Sequence, residues 1–505
     1  MHKQRGILAR VAAAFATLVL ALGIAVPAQA ATTGTLTVGG DVEATATTTV
    51  YKVIDANYAN DGSFTGYTWN AKVKTWVGAY DGGKYADIQA FSKLATDSTE
   101  VKAFYDSLAS AVKGGSLKLD AAATITGKGS AQNLAGGSYL MVTIGNAYVY
   151  RSVGFNMDEK GVVSDKTIDV KSSKPEIKKD TKDTPLIGLQ IGDTVGFRLT
   201  VDVPVYPSNA VAKNLWVSDA LPKGITLNAN SIKVYGDVSD TKADTLTAGN
   251  QYTLEVGTAD KPVTNHVGDK VSFIVKFDAD KVAKYKSVRV EYTGVINNKI
   301  DITVDGNTNT AKLEYNNNPF DGNSWKTDTK PGEEKVYSFG LDVTKVDAAN
   351  QDKTLTGVQF ELYRGATATG NAIAVTGTAG SYTVAEAGAT GTTTTLEADA
   401  NGKIAVNGLG TGDYTLKETE APEGYNGKGK TFKVTLADAN NDGKLDNGEN
   451  GANNGTNRLA YKVPNTQGFE LPTTGGMGTV LFTAAGVVLV GGGVALLARR
   501  GRAER

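Results

Sequence analysis

Short runs of alternating apolar and polar residues dominate the middle of this 505-residue chain, for example at 271–277 and 287–292. Turns rich in Gly, Asn and Asp separate these runs. A period of two places every second side chain on one face of a strand, as a sheet with one buried face requires. The sequence therefore predicts a mainly β protein made of tandem β-sandwich domains. One helical pattern interrupts the strands, between 86 and 112.

Composition excludes several classes of function. The chain has 52 basic and 53 acidic residues and a net charge of −1, so its overall charge does not favour binding to nucleic acid. Cysteine is absent, which excludes disulfides, thiolate metal sites and cysteine nucleophiles. The two histidines are His2 and His266, and most hydrolase and metalloenzyme mechanisms need more.

Residues 1–30 have the pattern of a secretory signal peptide. Basic residues precede the apolar run 11–26, and Ala28 and Ala30 form a small-x-small cleavage pattern. A membrane anchor is the alternative, but the run is short and ends in a proline and small residues. We expect cleavage before Ala31 and export of the chain.

The other end of the chain has three parts in a fixed order. An LPxTG motif comes first, then the uncharged apolar stretch 477–498, and then four arginines. The stretch is long enough to cross a bilayer as a transmembrane helix, and the arginines after it keep the C-terminus in the cytoplasm. The motif consists of Leu471, Pro472, Thr473, Thr474 and Gly475.

This order resembles the cell-wall sorting signal of Gram-positive surface proteins. The resemblance implies that a sortase cleaves between Thr474 and Gly475 and holds the Thr474 carboxyl as a thioester until an amine accepts it. The precursor would be membrane-bound only transiently. The mature protein would be secreted and attached to peptidoglycan in the cell wall.

The stretch between the two ends is long enough for three domains of about 150 residues each. Polar, turn-rich segments near 171–176 and 321–333 suggest the boundaries. We therefore predict five segments: a signal peptide at 1–30, an N-terminal domain with the helical insertion at 31–172, a middle sandwich at 173–330, a C-terminal sandwich at 331–470, and the sorting signal at 471–505.

The segment 414–425 reads Tyr-Thr-Leu-Lys-Glu-Thr-Glu-Ala-Pro-Glu-Gly-Tyr. It resembles the E-box of sortase-assembled Gram-positive backbone pilins, and the segment around it resembles their SpaA-like, collagen-adhesin B-type domain. The resemblance implies tandem immunoglobulin-like β-sandwich domains in an elongated arrangement. The second segment, with motifs at 217–227 and 309–315, resembles the middle domain of the same pilins. The first segment resembles their N-terminal domain more loosely.

In that family a strand lysine attacks an asparagine side chain, ammonia leaves, and an intramolecular isopeptide bond forms with help from a nearby acid. For the C-terminal domain the resemblance implies Lys345, Asn465 and the acid Glu418. Alternation supports this choice, because Leu341, Val343 and Lys345 share one strand face. An ordinary solvated Lys345 and a surface Glu418 are the alternative.

In the middle domain Lys179 shares a strand face with Ile177 and is preferred to Lys178. Asp219 is the matching acid. The acceptor is Asn309 or Asn316, and alternation favours Asn309 because it shares a face with Ala311 and Leu313. Surface charges are again the alternative.

Polymerisation needs a further lysine whose amine accepts Thr474 of another subunit. The family often places it in a Val-Tyr-Pro-Lys segment between the first two domains, and this sequence departs from that pattern. Lys171 and Lys174 occupy the corresponding place. Both are candidates and Lys171 is the better match, with an ordinary solvated linker lysine as the alternative.

One loop fits the pattern of a calcium-binding loop, D-x-[DN]-x-[DN]-G-x5-E. Its flanks do not form the usual helices, and an acidic hairpin tip is the alternative interpretation. No cofactor is otherwise expected. The ligands of a structural Ca2+ would be Asp438, Asn440, Asp442, the carbonyl of Lys444, Asp446 and Glu449.

These features together predict a structural pilus subunit that supports adhesion and is not an enzyme. Its expected partners are pilin-class and housekeeping sortases, further copies of itself, peptidoglycan and an unknown host receptor. A monomeric wall-anchored adhesin or minor pilin is the first alternative. An extracellular glycosidase, which can work with two carboxylates alone, is the second.

Overall fold

The computed structural model describes residues 32–182, 186–239, 242–258, 260–328, 332–448 and 451–468. The predicted signal peptide, the LPxTG motif and the predicted transmembrane helix lie outside these residues. None of the described helices is long and apolar enough to cross a membrane.

The chain divides into two compact units. Unit 1 comprises the residues up to Leu186, Thr194–Lys299 and Asn307–Val336, and unit 2 comprises Ile187–Asp193, Ile300–Gly306 and the chain from Tyr337.

The first part of unit 1 contains eleven strands and three α-helices. The strands are β1 Thr33–Gly40, β2 Thr47–Tyr58, β3 Phe64–Trp69, β4 Ala121–Thr126, β5 Ser130–Ala135, β6 Gly137–Ile144, β7 Val149–Arg151, β8 Val153–Asn156, β9 Asp158–Glu159, β10 Val162–Val163 and β11 Lys166–Ser173. The helices are α1 Ala71–Ala79, α2 Ile88–Ser92 and α3 Thr99–Lys113, and a 3-10 turn spans Tyr80–Gly83. The two larger sheets have the orders β5-β1-β11-β7 and β3-β2-β6-β8, with β4 beside β2.

The sheet that contains β6 is covered on both faces, which explains the apolar run in this strand. Tyr139 and Met141 face the other sheet and pack in a cluster with Leu36. Leu140 and Val142 face the opposite way and pack in the cluster that includes the helices. An alternating strand would have left one of these two interfaces without apolar contacts.

The helical pattern predicted between 86 and 112 forms two helices, α2 and α3. The break comes where Ser98 ends the linking turn and its side chain accepts a hydrogen bond from Val101 N, as an N-cap does. Helix α1 was not predicted. It buries two side chains, Val73 and Val77, and one such pair is too short a pattern to recognise in sequence.

The second part of unit 1 is a sandwich of two antiparallel sheets. The strands are β12 Ile177–Thr181, β13 Thr194–Asp202, β14 Asn214–Ala220, β15 Ile225–Ser239, β16 Lys242–Thr245, β17 Tyr252–Val256, β18 Val263–Thr264, β19 Lys270–Val271, β20 Phe273–Asp278, β21 Ser287–Ile296, β22 Asn307–Asn316, β23 Trp325–Thr327 and β24 Gly332–Val336, with the short helix α4 Ala279–Val282. One sheet has the order β12-β13-β21-β15-β16, and the other β17-β20-β14-β22, with β23 and β24 paired to β22.

Unit 2 is a second sandwich. Its strands are β25 Phe339–Asp347, β26 Gln359–Arg364, β27 Val375–Thr378, β28 Ser381–Val384, β29 Leu396–Glu397, β30 Lys403–Leu409, β31 Gly412–Glu420, β32 Tyr425–Asn426, β33 Thr431–Leu436, β34 Gly451–Asn453 and β35 Arg458–Gln467. One sheet has the order β27-β28-β30-β25-β35-β32 with β34 beside β35, and the other β29-β26-β31-β33. Strands β25 and β35, at the start and end of this unit, are parallel neighbours.

These sheets confirm the mainly β fold class and the short helical insertion near the N-terminus. The division into three domains at 172 and 330 stays a prediction. Strand β24 follows residue 330 but pairs with β22 of unit 1. The segments 187–193 and 300–306 belong to unit 2, although the sequence suggested that they were part of the middle domain.

Candidate functional site

Unit 2 buries the three residues Lys345, Glu418 and Asn465 together, and we refer to them as the Lys345 cluster. Lys345 Nζ lies 2.9 Å from Glu418 Oε2, and the Asn465 amide nitrogen donates to Glu418 Oε1 at 2.6 Å. The lysine and glutamate side chains have no solvent exposure. One carboxylate therefore holds both the amine and the amide.

The strands explain how these side chains meet. Lys345 is on β25 and Asn465 on its parallel neighbour β35, where Asp347 is the register partner of Asn465. Glu418 comes from β31 in the opposite sheet and reaches across the sandwich. Lys345 points inward because Leu341 and Val343 on the same strand face are also buried.

Apolar groups and a glycine enclose the cluster. Lys345 Nζ lies 5.6 Å from the ring centroid of Phe360 and 5.4 Å from that of Phe432. A Cβ atom on Gly427 would collide with Asn465 Nδ2 and Glu418 Oε1. Glycine at 427 thus lets the backbone close directly over the amide and the carboxylate.

Burial changes the protonation of Lys345. Removal from water lowers the pKa of its ammonium from 10.5 to about 8, and the hydrogen bond to Glu418 opposes part of that shift. At pH 7 about one amine in ten is then neutral, roughly three hundred times more than for an ordinary lysine. In the described part of the chain, Asn465 Oδ1 is buried without a hydrogen-bond partner.

Unit 1 contains a second arrangement of this kind, the Lys179 cluster, which consists of Lys179, Asp219, Tyr292 and Asn309. Lys179 Nζ lies 2.5 Å from Asp219 Oδ2, and neither side chain is exposed. The Asn309 amide donates to the Tyr292 hydroxyl at 2.8 Å. Tyr292 also interacts with Asp219, so the phenol connects the acid to the amide.

The Lys179 cluster joins the two sheets of its sandwich. Lys179 and Tyr292 are on β12 and β21 of one sheet, whereas Asp219 and Asn309 are on the paired strands β14 and β22 of the other. Burial lowers the pKa of Lys179 and raises that of Asp219. Both shifts favour an uncharged amine beside an uncharged acid.

Asn309 and Asn316 have different surroundings. Asn316 Oδ1 accepts hydrogen bonds from the backbone and side-chain nitrogens of Asn214, at 3.0 and 2.7 Å, near the other end of β22. Asn309 is linked through Tyr292 to Asp219, and its Oδ1 is buried without a partner among the described residues. This geometry supports Asn309 as the acceptor. Lys178 is exposed, as the alternation predicted.

Comparisons with known proteins bear on the fold of this chain and on its C-terminal anchor. Residues 340–450 match the SpaA family model, described as a prealbumin-like fold domain, and residues 463–504 match the LPXTG cell wall anchor motif. The chain is 26% identical over 418 residues to the trypsin-resistant surface T6 protein of Streptococcus pyogenes serotype M6. This match covers 68% of the chain and 71% of the T6 protein. The chain is therefore similar in sequence to a streptococcal surface protein over about two thirds of its length.

Two further comparisons extend this result. Fimbrial subunit type 1 of Actinomyces viscosus is 24% identical over 361 residues, and the match covers 64% of this chain and 63% of that protein. The solved structure of the T6 backbone pilin of serotype M6 Streptococcus pyogenes matches with a TM-score of 0.59 at 18% identity. That match covers 87% of this chain and all of the T6 chain, and it shows a shared fold. The anchor motif places the protein at the cell wall.

The two candidate acceptor lysines differ in their environment. Lys171 is on β11, partly buried, and opposite Arg151 on β7. Burial and the nearby Lys102 and Arg151 lower its pKa. Lys174 lies just after β11, with 42% of its side chain exposed.

Lys174 is paired with an acid, which has the opposite effect. Its Nζ lies 2.6 Å from Glu176 Oε1, and this hydrogen bond raises the pKa of Lys174. The two lysines are therefore three residues apart in sequence but have opposite pKa shifts.

The calcium-like loop is organised by hydrogen bonds to its own backbone. The carboxylate of Asp438 accepts from the backbone nitrogens of Asp442 and Gly443, and Asp446 accepts from Ala439 N. The described residues contain no group of three or more His, Cys, Asp or Glu side chains that could hold a metal ion. Glu449 lies outside them. Ca2+ binding therefore stays a prediction of the sequence alone.

Three parts of the buried clusters were not predicted from the sequence. Tyr292 bridges acid and amide in unit 1, Phe432 encloses Lys345, and Gly427 makes room for Asn465. Alternation along β21 places Tyr292 on the same inward face as Val288 and Val290. That signal could have identified Tyr292 as inward-facing, but not as a hydrogen-bond partner of Asn309.

Proposed function

We propose that this protein is the structural subunit of a covalently polymerised, wall-anchored pilus, and that isopeptide bonds within its sandwiches stabilise it. The observation that carries the proposal is the pair of buried clusters, each with a lysine, an acid and an asparagine amide. A buried ion pair alone is a poor source of stability, because desolvation of both charges offsets their attraction. An isopeptide bond would give the buried lysine a role that the ion pair alone does not provide.

The proposed reaction in unit 2 begins with a proton transfer. A proton that moves from Lys345 Nζ to Glu418 along their hydrogen bond leaves a neutral amine and a neutral acid. The amine lone pair attacks Cγ of Asn465, while the protonated Glu418 hydrogen-bonds to the amide oxygen and stabilises its developing negative charge. A 180° rotation of the amide would bring the unpartnered Oδ1 to the acid.

The reaction ends with loss of ammonia. Glu418 transfers its proton to the amide nitrogen of Asn465, the C–N bond of that amide breaks, ammonia leaves, and Glu418 takes up the second proton that the Lys345 nitrogen loses. One amide bond replaces another, so each bond lowers the mass of the chain by one ammonia molecule. Lys179, Asp219 and Asn309 would react in the same way, with Tyr292 as an additional hydrogen-bond donor.

The positions of the two bonds suit a fibre that carries tension. The Lys345–Asn465 bond would join the neighbouring strands β25 and β35, near the start and the end of unit 2. Force applied to the ends of the unit would then pass through covalent bonds without separating the strands. The bond between Lys179 and Asn309 would instead join the two sheets of its sandwich.

Assembly and anchoring would use two enzymes and one amine. We propose that a pilin-class sortase joins Thr474 of one subunit to a lysine of the next, and that a housekeeping sortase finally transfers the fibre to peptidoglycan. Adhesion to a host receptor would follow from display on the fibre. Binding by a monomeric adhesin and hydrolysis by a glycosidase have no comparable support in the described geometry.

Co-expression with a pilin-class sortase tests polymerisation. We expect a ladder of covalent oligomers in denaturing gels, and we expect Thr474→Ala to abolish it. A chain that stays monomeric with the active enzyme would contradict the fibre proposal and favour a monomeric wall-anchored protein.

A further inference from the structure

We propose that Lys171 is the acceptor amine, and that Lys102, Asp106 and Arg151 form a cationic pocket that presents it for reaction. This inference rests on the proposed polymerisation, and it selects one of the two lysines that the sequence left open. It also assigns a role to charged side chains of helix α3 and strand β7 that the isopeptide chemistry does not use.

The pocket is a cavity of about 30 Å3 beside helix α3. Lys102, Asp106, Arg151 and Lys171 line it together with apolar side chains. Lys171 and Arg151 are register partners on antiparallel strands, so their side chains extend on the same face. Lys171 is only partly buried, so its side chain is sheltered in part and is still reached by solvent.

Asp106 holds the pocket in place. It is 3% exposed, accepts a hydrogen bond from Ser152 Oγ at 2.7 Å, and its Oδ2 lies 3.4 Å from Arg151 NH2. The close packing of α3 on β8 depends on Gly154, where a Cβ atom would collide with the Tyr105 ring. Helix, strand and carboxylate therefore fix the position of Arg151 relative to Lys171.

The charges of the pocket favour a neutral amine. Three cations, Lys102, Arg151 and Lys171, face the single carboxylate Asp106, which is already bound to Arg151 and Ser152. Tyr105 from α3 also lines the cavity, and burial raises the pKa of its phenol, so it adds no charge. Partial burial and the two neighbouring cations lower the pKa of Lys171, in agreement with this geometry.

The reaction that this pocket would serve is acyl transfer. The lone pair of Lys171 Nζ attacks the carbonyl carbon of Thr474 of a second copy, which the sortase holds as a thioester. The new C–N bond forms, the C–S bond breaks, and sulfur leaves as a thiolate that takes up the proton lost by the nitrogen. Only an unprotonated amine can begin this sequence, because an ammonium group has no lone pair.

The first test measures amine reactivity without any sortase. The mature chain is pulsed with an acetylating N-hydroxysuccinimide ester between pH 6 and 10.5, and peptide mass spectrometry reports acetylation at Lys171 and Lys174 separately. We expect half-maximal acetylation of Lys171 at a lower pH than that of Lys174. Identical pH profiles for the two lysines would overturn the inference.

Variants separate a charge effect from a structural one. Lys102→Met removes a cation, and we expect it to move the Lys171 profile to higher pH and leave the Lys174 profile in place. Lys102→Arg keeps the charge and should restore the wild-type profile. A Lys171 profile that is the same in the wild type and in Lys102→Met would overturn the role of the pocket, whatever happens to stability.

Coupling by a sortase then identifies the acceptor. With a pilin-class sortase and a peptide that ends in Leu-Pro-Thr-Thr-Gly, we expect the peptide to be joined to Lys171, and Lys171→Arg to abolish the product while Lys174→Arg retains it. Coupling to Lys174 would overturn this inference and leave the fibre proposal intact. If no lysine reacts, the fibre proposal itself fails.

Discussion

Replacement of Lys345 by methionine isolates the contribution of the proposed bond in unit 2. Methionine fills a similar apolar volume but has no amine, so Lys345→Met cannot form the bond and leaves no buried lysine charge. Glu418 and Asn465 remain hydrogen-bonded to each other. The variant should therefore fold, and it should differ from the wild type mainly in the missing cross-link.

The size of the effect follows from the length of chain that the bond closes. Residues 345 and 465 enclose a loop of about 120 residues, for which the chain-entropy model gives about 5 kcal/mol of stabilisation at 25 °C. A unit of about 150 residues has an unfolding entropy near 0.3 kcal/mol/K, so this free energy corresponds to a loss of about 15 °C in Tm.

Differential scanning calorimetry of the mature chain checks this value for the transition of unit 2. Lys433→Met is the matched control, because Lys433 is exposed on β33 and the same substitution there removes no cross-link. We expect the control to melt within about 2 °C of the wild type, as exposed substitutions usually do. If Lys345→Met melts at the wild-type temperature, the bond either is absent or does not stabilise the unit.

Three further predictions concern the acceptors, the pH dependence and the glycine. Intact-mass analysis should show that Asn309→Ala loses one ammonia fewer, relative to its own sequence mass, than the wild type does, whereas Asn316→Ala loses as much ammonia as the wild type; the reverse would contradict our choice of acceptor. In Asn465→Ala, Lys345 stays a free amine whose pKa is about 8 in the folded state and 10.5 in the unfolded state, so the free energy of unfolding should rise with pH across that interval, by up to about 3 kcal/mol. Urea melts at several pH values should show this slope. If the slope persists in a variant that also carries Lys345→Met, the assignment to Lys345 is refuted. Gly427→Ala should slow ammonia loss in unit 2, because the new methyl group displaces the amide and the acid, and should cost about 1–3 kcal/mol; an unchanged rate in a time course of intact mass would count against the packing that we describe.

The sequence predicted the Lys345 cluster because one motif positioned its acid. Glu418 lies in the segment 414–425, and period-two alternation from Leu341 identified Lys345 as a core residue. The structure places both side chains, with Asn465, within hydrogen-bond distance. Local pattern was sufficient here because each residue is on a regular strand.

Contacts between elements that are distant in sequence could not be predicted in this way. Tyr292 meets Asn309 because β21 and β22 face each other across the sandwich, and strand pattern gives the inward direction of a side chain but not its partner. The charged pocket at Lys171 depends on helix α3, about 70 residues earlier in the chain. Sequence spacing alone does not bring these groups together.

The same limit applies to element boundaries. The apolar residues of α2 and α3 formed one helical pattern, but α2 ends at Ser92 and α3 begins at Thr99, after the N-cap Ser98. The segments 187–193 and 300–306 carry no pattern that assigns them to unit 2. Their placement depends on tertiary contacts, which the local sequence does not record.

The intact mass of residues 31–470, expressed in a host without sortases, tests the central claim most directly. The account predicts a mass lower than the sequence mass by two ammonia molecules, with cross-linked peptides that join Lys345 to Asn465 and Lys179 to Asn309. A mass equal to that of the sequence would contradict self-catalysed bond formation in both clusters and would leave them as buried ion pairs.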